Sequence, residues 1–169
     1  MKTPHTIAAL LLSSTLSVQA DNLTSAQGQI SATDQSGRSS QQNVEKLLDL
    51  YDFGNLEQPL LFKPTLADVI RTDRTAARSY FVGGNPLFPN DKGFLKHEWK
   101  LVNFSSAAGP IANPGDLGYR DMGHYTFVNT DGNTTSADYT FIYHKLENKV
   151  LISLHHSSLR WNPPEPMTE

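Results

Sequence analysis

The sequence predicts an α+β fold in which N-terminal helices pack on a cone-shaped, curved antiparallel sheet. Three observations predict it. A helical period of apolar residues dominates between about residues 43 and 81, a β-type composition takes over from Trp99 onward, and turn residues separate the later β-rich runs. Helices first and consecutive strands afterwards is the order of α+β domains, with helices gathered on one face of the sheet. A strongly curved sheet closes towards a cone, and the mouth of a cone is a ready pocket.

Taken in order, residues 1–20 read as a secretory leader: Lys2, an apolar run through Ile7, Leu10, Leu11 and Leu12, then small Val18 and Ala20 before Asp21. That run is far shorter than the roughly 20 residues a bilayer span requires. Residues 21–40, rich in Ser, Gln, Thr and Asp, read as a flexible tether. A single α+β domain is expected over 41–162, with a tail at 163–169. Val44, Leu47, Leu48 and Tyr51 recur at i, i+3, i+4 and i+7 and predict an amphipathic helix ended at Gly54. In FKPTLADVIRT, Pro64 keeps Lys63 extended and Thr65 is placed to cap a short helix with Leu66, Val69 and Ile70 as its apolar side. A second helix over DRTAARSYF is stopped by Gly83, Gly84 and Pro86. Strands are expected at Trp99–Phe104, Gly123–Asn129, Tyr139–His144 and Val150–His156, with turns at Asp131-Gly132 and Glu147-Asn148-Lys149.

Charge and composition exclude several classes of function. The chain carries 14 basic and 17 acidic residues; loss of Lys2 with the leader leaves 13 against 17, a formal charge of −4. That balance argues against nucleic acid or an anionic membrane as partner. An exported protein with no cysteine has no disulfides to draw on, so packing or subunit pairing must stabilise it, and the bacterial periplasm is the expected location. Sequons at Asn22, Asn103 and Asn133 carry little weight.

The polar run LHHSSL at 154–159 is the place to look for chemistry. Strand parity puts Val150, Ile152, Leu154, His156 and Ser158 on the core side, and Leu151, Ser153, His155 and Ser157 on the other, unless a bulge reverses the phase. Adjacent histidines on a regular strand cannot both face one ion. No HExxH or cysteine is present, so zinc would need His124 or His144 to join one of them, as a catalytic site with a water ligand. No GxSxG elbow surrounds a serine, which sets a serine hydrolase aside. Plain structural roles stand beside the functional ones. His156 and Ser158 can satisfy backbone at a strand end, Thr65 can cap its helix, and Tyr80 can bury its ring near Ala76, Ala77 and Phe81. Lys63 and Arg78 read as solvated, and Gly83-Gly84 as a supplier of backbone angles.

FKPT at 62–65, SYFVGGNPLFP at 79–89, NDKGF at 90–94, DMGHYTF, DYTFIYH and LHHSSL together resemble the iota-class carbonic anhydrases over about Leu47 to Leu159. The resemblance implies a cone of the kind shared by SnoaL-like proteins and the association domain of calmodulin-dependent kinase, usually as a homodimer. It implies reversible hydration of carbon dioxide to bicarbonate without a metal or other cofactor. It also implies a site of hydroxyl side chains: Thr65, Tyr80, and either Ser158 with His156 or Ser157 with His155. Parity favours His156 and Ser158 as catalytic, with proton transfer at His156, leaving His155 and Ser157 as substrate-binding. The chain departs from the family in the long Gly/Pro-rich segment SSAAGPIANPGDLGYRDMG, in Ala137 and in Arg160. Two alternatives stay open: a zinc-dependent carbonic anhydrase, and a non-catalytic association or small-anion-binding module on the same fold.

Overall fold

The computed structural model describes residues 40–96, 99–146 and 149–161. The expected leader, nearly all of the tether, turn residues Glu147 and Asn148, and the tail lie outside the described residues. Helix α1 (Ser40–Leu48) turns Val44, Leu47 and Leu48 fully inward, and Tyr51 continues that face as the periodicity predicts. Helix α2 (Arg74–Val82) starts where Asp73 accepts a 2.8 Å bond from the Ala76 amide, and stops at Gly83, whose φ of 69° suits glycine. Arg74 reaches Glu45 and Asp49, both at 2.8 Å, and Arg78 reaches Glu45 at 2.9 Å, tying the two helices together. These pairs are partly exposed and each is worth little. Arg78 and Lys63 are thus engaged rather than merely solvated: the Lys63 ammonium donates to the Ala67 carbonyl.

Six strands follow: β1 (Leu61–Lys63), β2 (Trp99–Ser106), β3 (Ile111–Ala112), β4 (Gly118–Asn129), β5 (Thr134–Lys145) and β6 (Val150–Leu159). They form one sheet in the order β1-β6-β5-β4-β2, with β3 beside β4. The α+β class and the β4–β5–β6 meander stand as predicted, with Gly132 at φ 84° in the first of its turns. The sheet is mixed rather than wholly antiparallel, because β1 runs parallel to β6, pairing Phe62 with His155. Tyr125, Phe127, Tyr139, Phe141, Tyr143 and Ile152 line the inner face and pack with Leu47, Leu48, Phe62 and Phe81 into the core.

Two expectations fail for local reasons. The helix expected after Thr65 does not form. Phe62 and Arg71 exchange two backbone bonds, at 2.9 and 2.7 Å, so the chain between them must return on itself. Only a single turn, from the Ala67 amide to the Pro64 carbonyl, fits the excursion, and Leu66, Val69 and Ile70 are left exposed. On β6, Ile142 pairs with Leu154 but Tyr143 pairs with Ile152, so Ser153 is an extra residue, and its hydroxyl bonds the Ile142 carbonyl at 3.2 Å. This bulge reverses the alternation. His155 and Ser157 are buried, whereas His156 and Ser158 are exposed on the outer face, opposite to the parity expectation.

Candidate active site

Parallel pairing of β1 with β6 brings residues 92 apart in sequence into contact. Lys63 lies opposite His156, and two residues further on the Thr65 hydroxyl donates to the Ser157 hydroxyl at 2.9 Å. Thr65 is therefore used across the fold, not as a helix cap. With the Thr65 hydrogen on its oxygen, Ser157 keeps its own hydrogen to donate onward.

Tyr80 projects from the buried face of α2 into a ring cluster, with Phe62 at 5.7 Å edge-on and Phe94 at 5.7 Å stacked. Burial pushes its phenol well above the ordinary value; a bond to the Leu66 backbone opposes this and the nearby Asp91 charge adds to it. The hydroxyl is thus a donor, not a base, at neutral pH. Between Tyr80 and Leu66 on one side and the 90–94 loop on the other lies a cavity of about 60 Å³. That is several times the roughly 10–15 Å³ one water requires, so a triatomic guest fits. Leu66, which borders this cavity with Tyr80, is the sequence neighbour of Thr65, so the cavity and the Thr65–Ser157 pair share the 65–66 segment.

His155 is held between two tyrosines. Its Nδ1 is 2.8 Å from the Tyr51 hydroxyl and its Nε2 is 2.9 Å from the Tyr125 hydroxyl, with the Phe141 ring centroid 4.4 Å away. In either tautomer one phenol donates to the bare nitrogen and the other accepts the ring N–H. Burial, with a smaller push from His156, lowers its pKa from 6.5 to about 3, so the ring is neutral. Burial likewise raises both tyrosines well above their ordinary range.

His156 and Ser158 lie with Met122, His124, Thr140 and Arg160 along an outer groove of about 450 Å³, on the side of the sheet away from Thr65 and Tyr80. His144 is committed to Asp52 at 3.0 Å. Among the described residues no three His, Asp or Glu side chains converge as a metal-ligand set, so the zinc arrangement finds no ligands there. Sequence reasoning missed Tyr51 and Tyr125. The available signal was the inward alternation of Tyr119, Asp121, Tyr125 and Phe127 along β4, which marks Tyr125 as a core phenol needing a partner.

The family model described as metal-independent carbonic anhydrase matches residues 17–159. A metal-independent carbonic anhydrase of Nostoc sp. (strain PCC 7120 / SAG 25.82 / UTEX 2576) is 39% identical over 123 residues, 69% of this chain. The chain spans 57% of that relative's length. A solved iota-carbonic anhydrase from a cyanobacterium, complexed with bicarbonate, superposes with a TM-score of 0.75 and 32% identity over 86% of this chain and 90% of that one. A nuclear transport factor 2-like protein from Salmonella enterica serovar Typhimurium gives a TM-score of 0.54 at 13% identity, covering 95% of this chain and 99% of its own, a likeness of fold alone.

Proposed function

The chain belongs to the metal-independent carbonic anhydrase family, and from that premise we propose that it catalyses the reversible hydration of carbon dioxide to bicarbonate in the Tyr80 cavity, with the Thr65–Ser157 hydroxyl pair beside it. The observation that carries this reading is the 2.9 Å contact of Thr65 with Ser157, which joins the KPT and HHSS motifs next to Leu66, a residue of the Tyr80 cavity. Hydration forms a bond from water oxygen to carbon, breaks one water O–H, and builds negative charge on the carbon dioxide oxygens. Hydroxyl donors held in fixed positions stabilise that charge as an oxyanion hole does. Metal-dependent enzymes instead lower the pKa of a bound water.

His155 is a weak base at a pKa of about 3 and sits in this scheme as a neutral wall that orients the strand bearing Ser157. The proton released goes to a solvent base at the cavity mouth. In this reading His155 and Ser157, which the bulge at Ser153 turns inward, take the place of His156 and Ser158, favoured by parity. We further assign residues 1–20 to export into a bacterial periplasm, 21–40 to a tether, 41–162 to one domain and 163–169 to a tail, with the outer groove around exposed Met122 covered in a homodimer. A mature chain beginning at Asp21 and a dimer in sedimentation are the outcomes expected of those assignments; a retained leader or a monomer contradicts them.

Removal of one such donor typically costs roughly 100-fold or more in kcat. Tyr80→Phe is therefore expected to lose roughly that factor in stopped-flow hydration while melting like the parent. Parental rates in Tyr80→Phe contradict the site, and no hydration by the parent itself leaves the non-catalytic binding module.

A further inference from the structure

Arg71 is an arginine with a wholly buried side chain, placed behind the proposed site. Its Nη2 donates to Asp91 Oδ1 at 3.0 Å and to Asp68 Oδ1 at 3.2 Å, and its guanidinium carbon lies 3.7 Å from the Phe88 ring centroid. The side chains of Arg71 and Asp91 are 0% and 3% exposed. Asp91 Oδ2 accepts the Ser79 hydroxyl at 2.5 Å, and Ser79 immediately precedes Tyr80 on α2. The backbone of Arg71 pairs with Phe62, three residues before Thr65. Asp91 itself belongs to the wall of the Tyr80 cavity. A single chain of bonds thus runs from the Thr65 hairpin through Arg71, Asp91 and Ser79 to the helix that carries Tyr80.

Stability is a poor explanation for this arrangement. A buried ion pair repays its desolvation only with excellent geometry and full hydrogen bonding. Here Arg71 Nε and Nη1 are buried with no hydrogen-bond partner among the described residues. Leaving buried donors unmet adds to the cost. Apolar side chains would fill the same space without that penalty, but they would not fix the lateral spacing of hairpin and helix.

Resting on the hydration reading above, we propose that the Arg71–Asp91 pair is the positioning couple of the site, holding the Thr65 hairpin and the Tyr80 helix at one spacing beside the cavity. Neither residue is a reacting group; both act through Tyr80 and Thr65. The Asp91 charge has a second effect in the same direction, since it disfavours ionisation of the Tyr80 phenol and keeps it a donor.

The test is a double-mutant cycle on the full chain, read by oxygen-isotope exchange between carbon dioxide and water, which follows slow variants. Asp91→Asn keeps the shape of the carboxylate and removes its charge. It is expected to lower kcat by about 10- to 100-fold with little change in KM, the scale of a small misplacement of reacting groups. In a Tyr80→Phe background the same change is expected to cost less than about twofold, because coupled residues are non-additive. Parental kcat in Asp91→Asn, or equal losses in both backgrounds, overturns the couple and leaves the hydration reading intact. A parent that does not exchange, or a Tyr80→Phe variant as fast as the parent, overturns the hydration reading and the couple with it. Should Asp91→Asn fail to fold, Ser79→Ala cuts the same chain on the helix side, is held to the same pattern of smaller losses, and overturns the couple if its losses multiply.

Discussion

At the scale of single residues, His155 connects burial to pH. Its folded-state pKa of about 3 lies below the ordinary 6.5, so as pH falls the unfolded chain takes up a proton before the folded one does. The stability this group contributes is complete above about pH 6.5 and is lost progressively as pH falls towards 3, with a slope of up to about 1.4 kcal/mol per pH unit. His155→Gln keeps groups able to bond Tyr51 and Tyr125 but does not titrate. Urea midpoints measured at pH 7 and pH 5 are expected to fall clearly further for the parent than for this variant. An equal fall in both proteins would mean that the imidazole is not held neutral between its two phenols. The same neutrality explains why Thr65, Tyr80 and Ser157 carry the proposed chemistry: they are donors that keep their hydrogens at working pH.

At the scale of elements, the helix that delivers Tyr80 depends on its first turn. Asp73→Ala removes the bond to the Ala76 amide and is expected to cost about 1 kcal/mol in urea unfolding, with hydration per folded molecule almost unchanged. No loss of stability would show that the cap is idle, and a collapse of activity at full folding would show that the helix start reaches the site. This helix, α1 and the three long strands were legible because each advertises itself locally, by a 3.6- or 2-residue period and by turn residues such as Asp131-Gly132. The bulge at Ser153 was not, since one inserted residue leaves no mark on composition yet turns every later side chain to the other face. The segment after Thr65 has helical spacing at Leu66, Val69 and Ile70, and only the backbone pairing of Phe62 with Arg71 forbids the helix. The Thr65–Ser157 contact depends on the parallel pairing of a three-residue strand, which no local window of sequence displays.

At the scale of the whole molecule, the fold sets the hydroxyl groups of Thr65, Ser157 and Tyr80 along one region, with Asp91 in the cavity wall. The inner face of the sheet is lined by tyrosines, phenylalanines and one uncharged histidine, with Asp121 bonded to Tyr139 among them, while Asp91 stands in the wall of the Tyr80 cavity and the Arg71 side chain is buried against it. In the hydration proposed for it, such a site would work through fixed hydroxyl dipoles that admit the reacting water and stabilise the charge it builds on carbon dioxide. The direct measurement is stopped-flow hydration of carbon dioxide by the purified chain before and after exhaustive treatment with a strong zinc chelator. The rate is expected to be the same in both samples; a rate that vanishes on chelation and returns with added zinc would contradict the account.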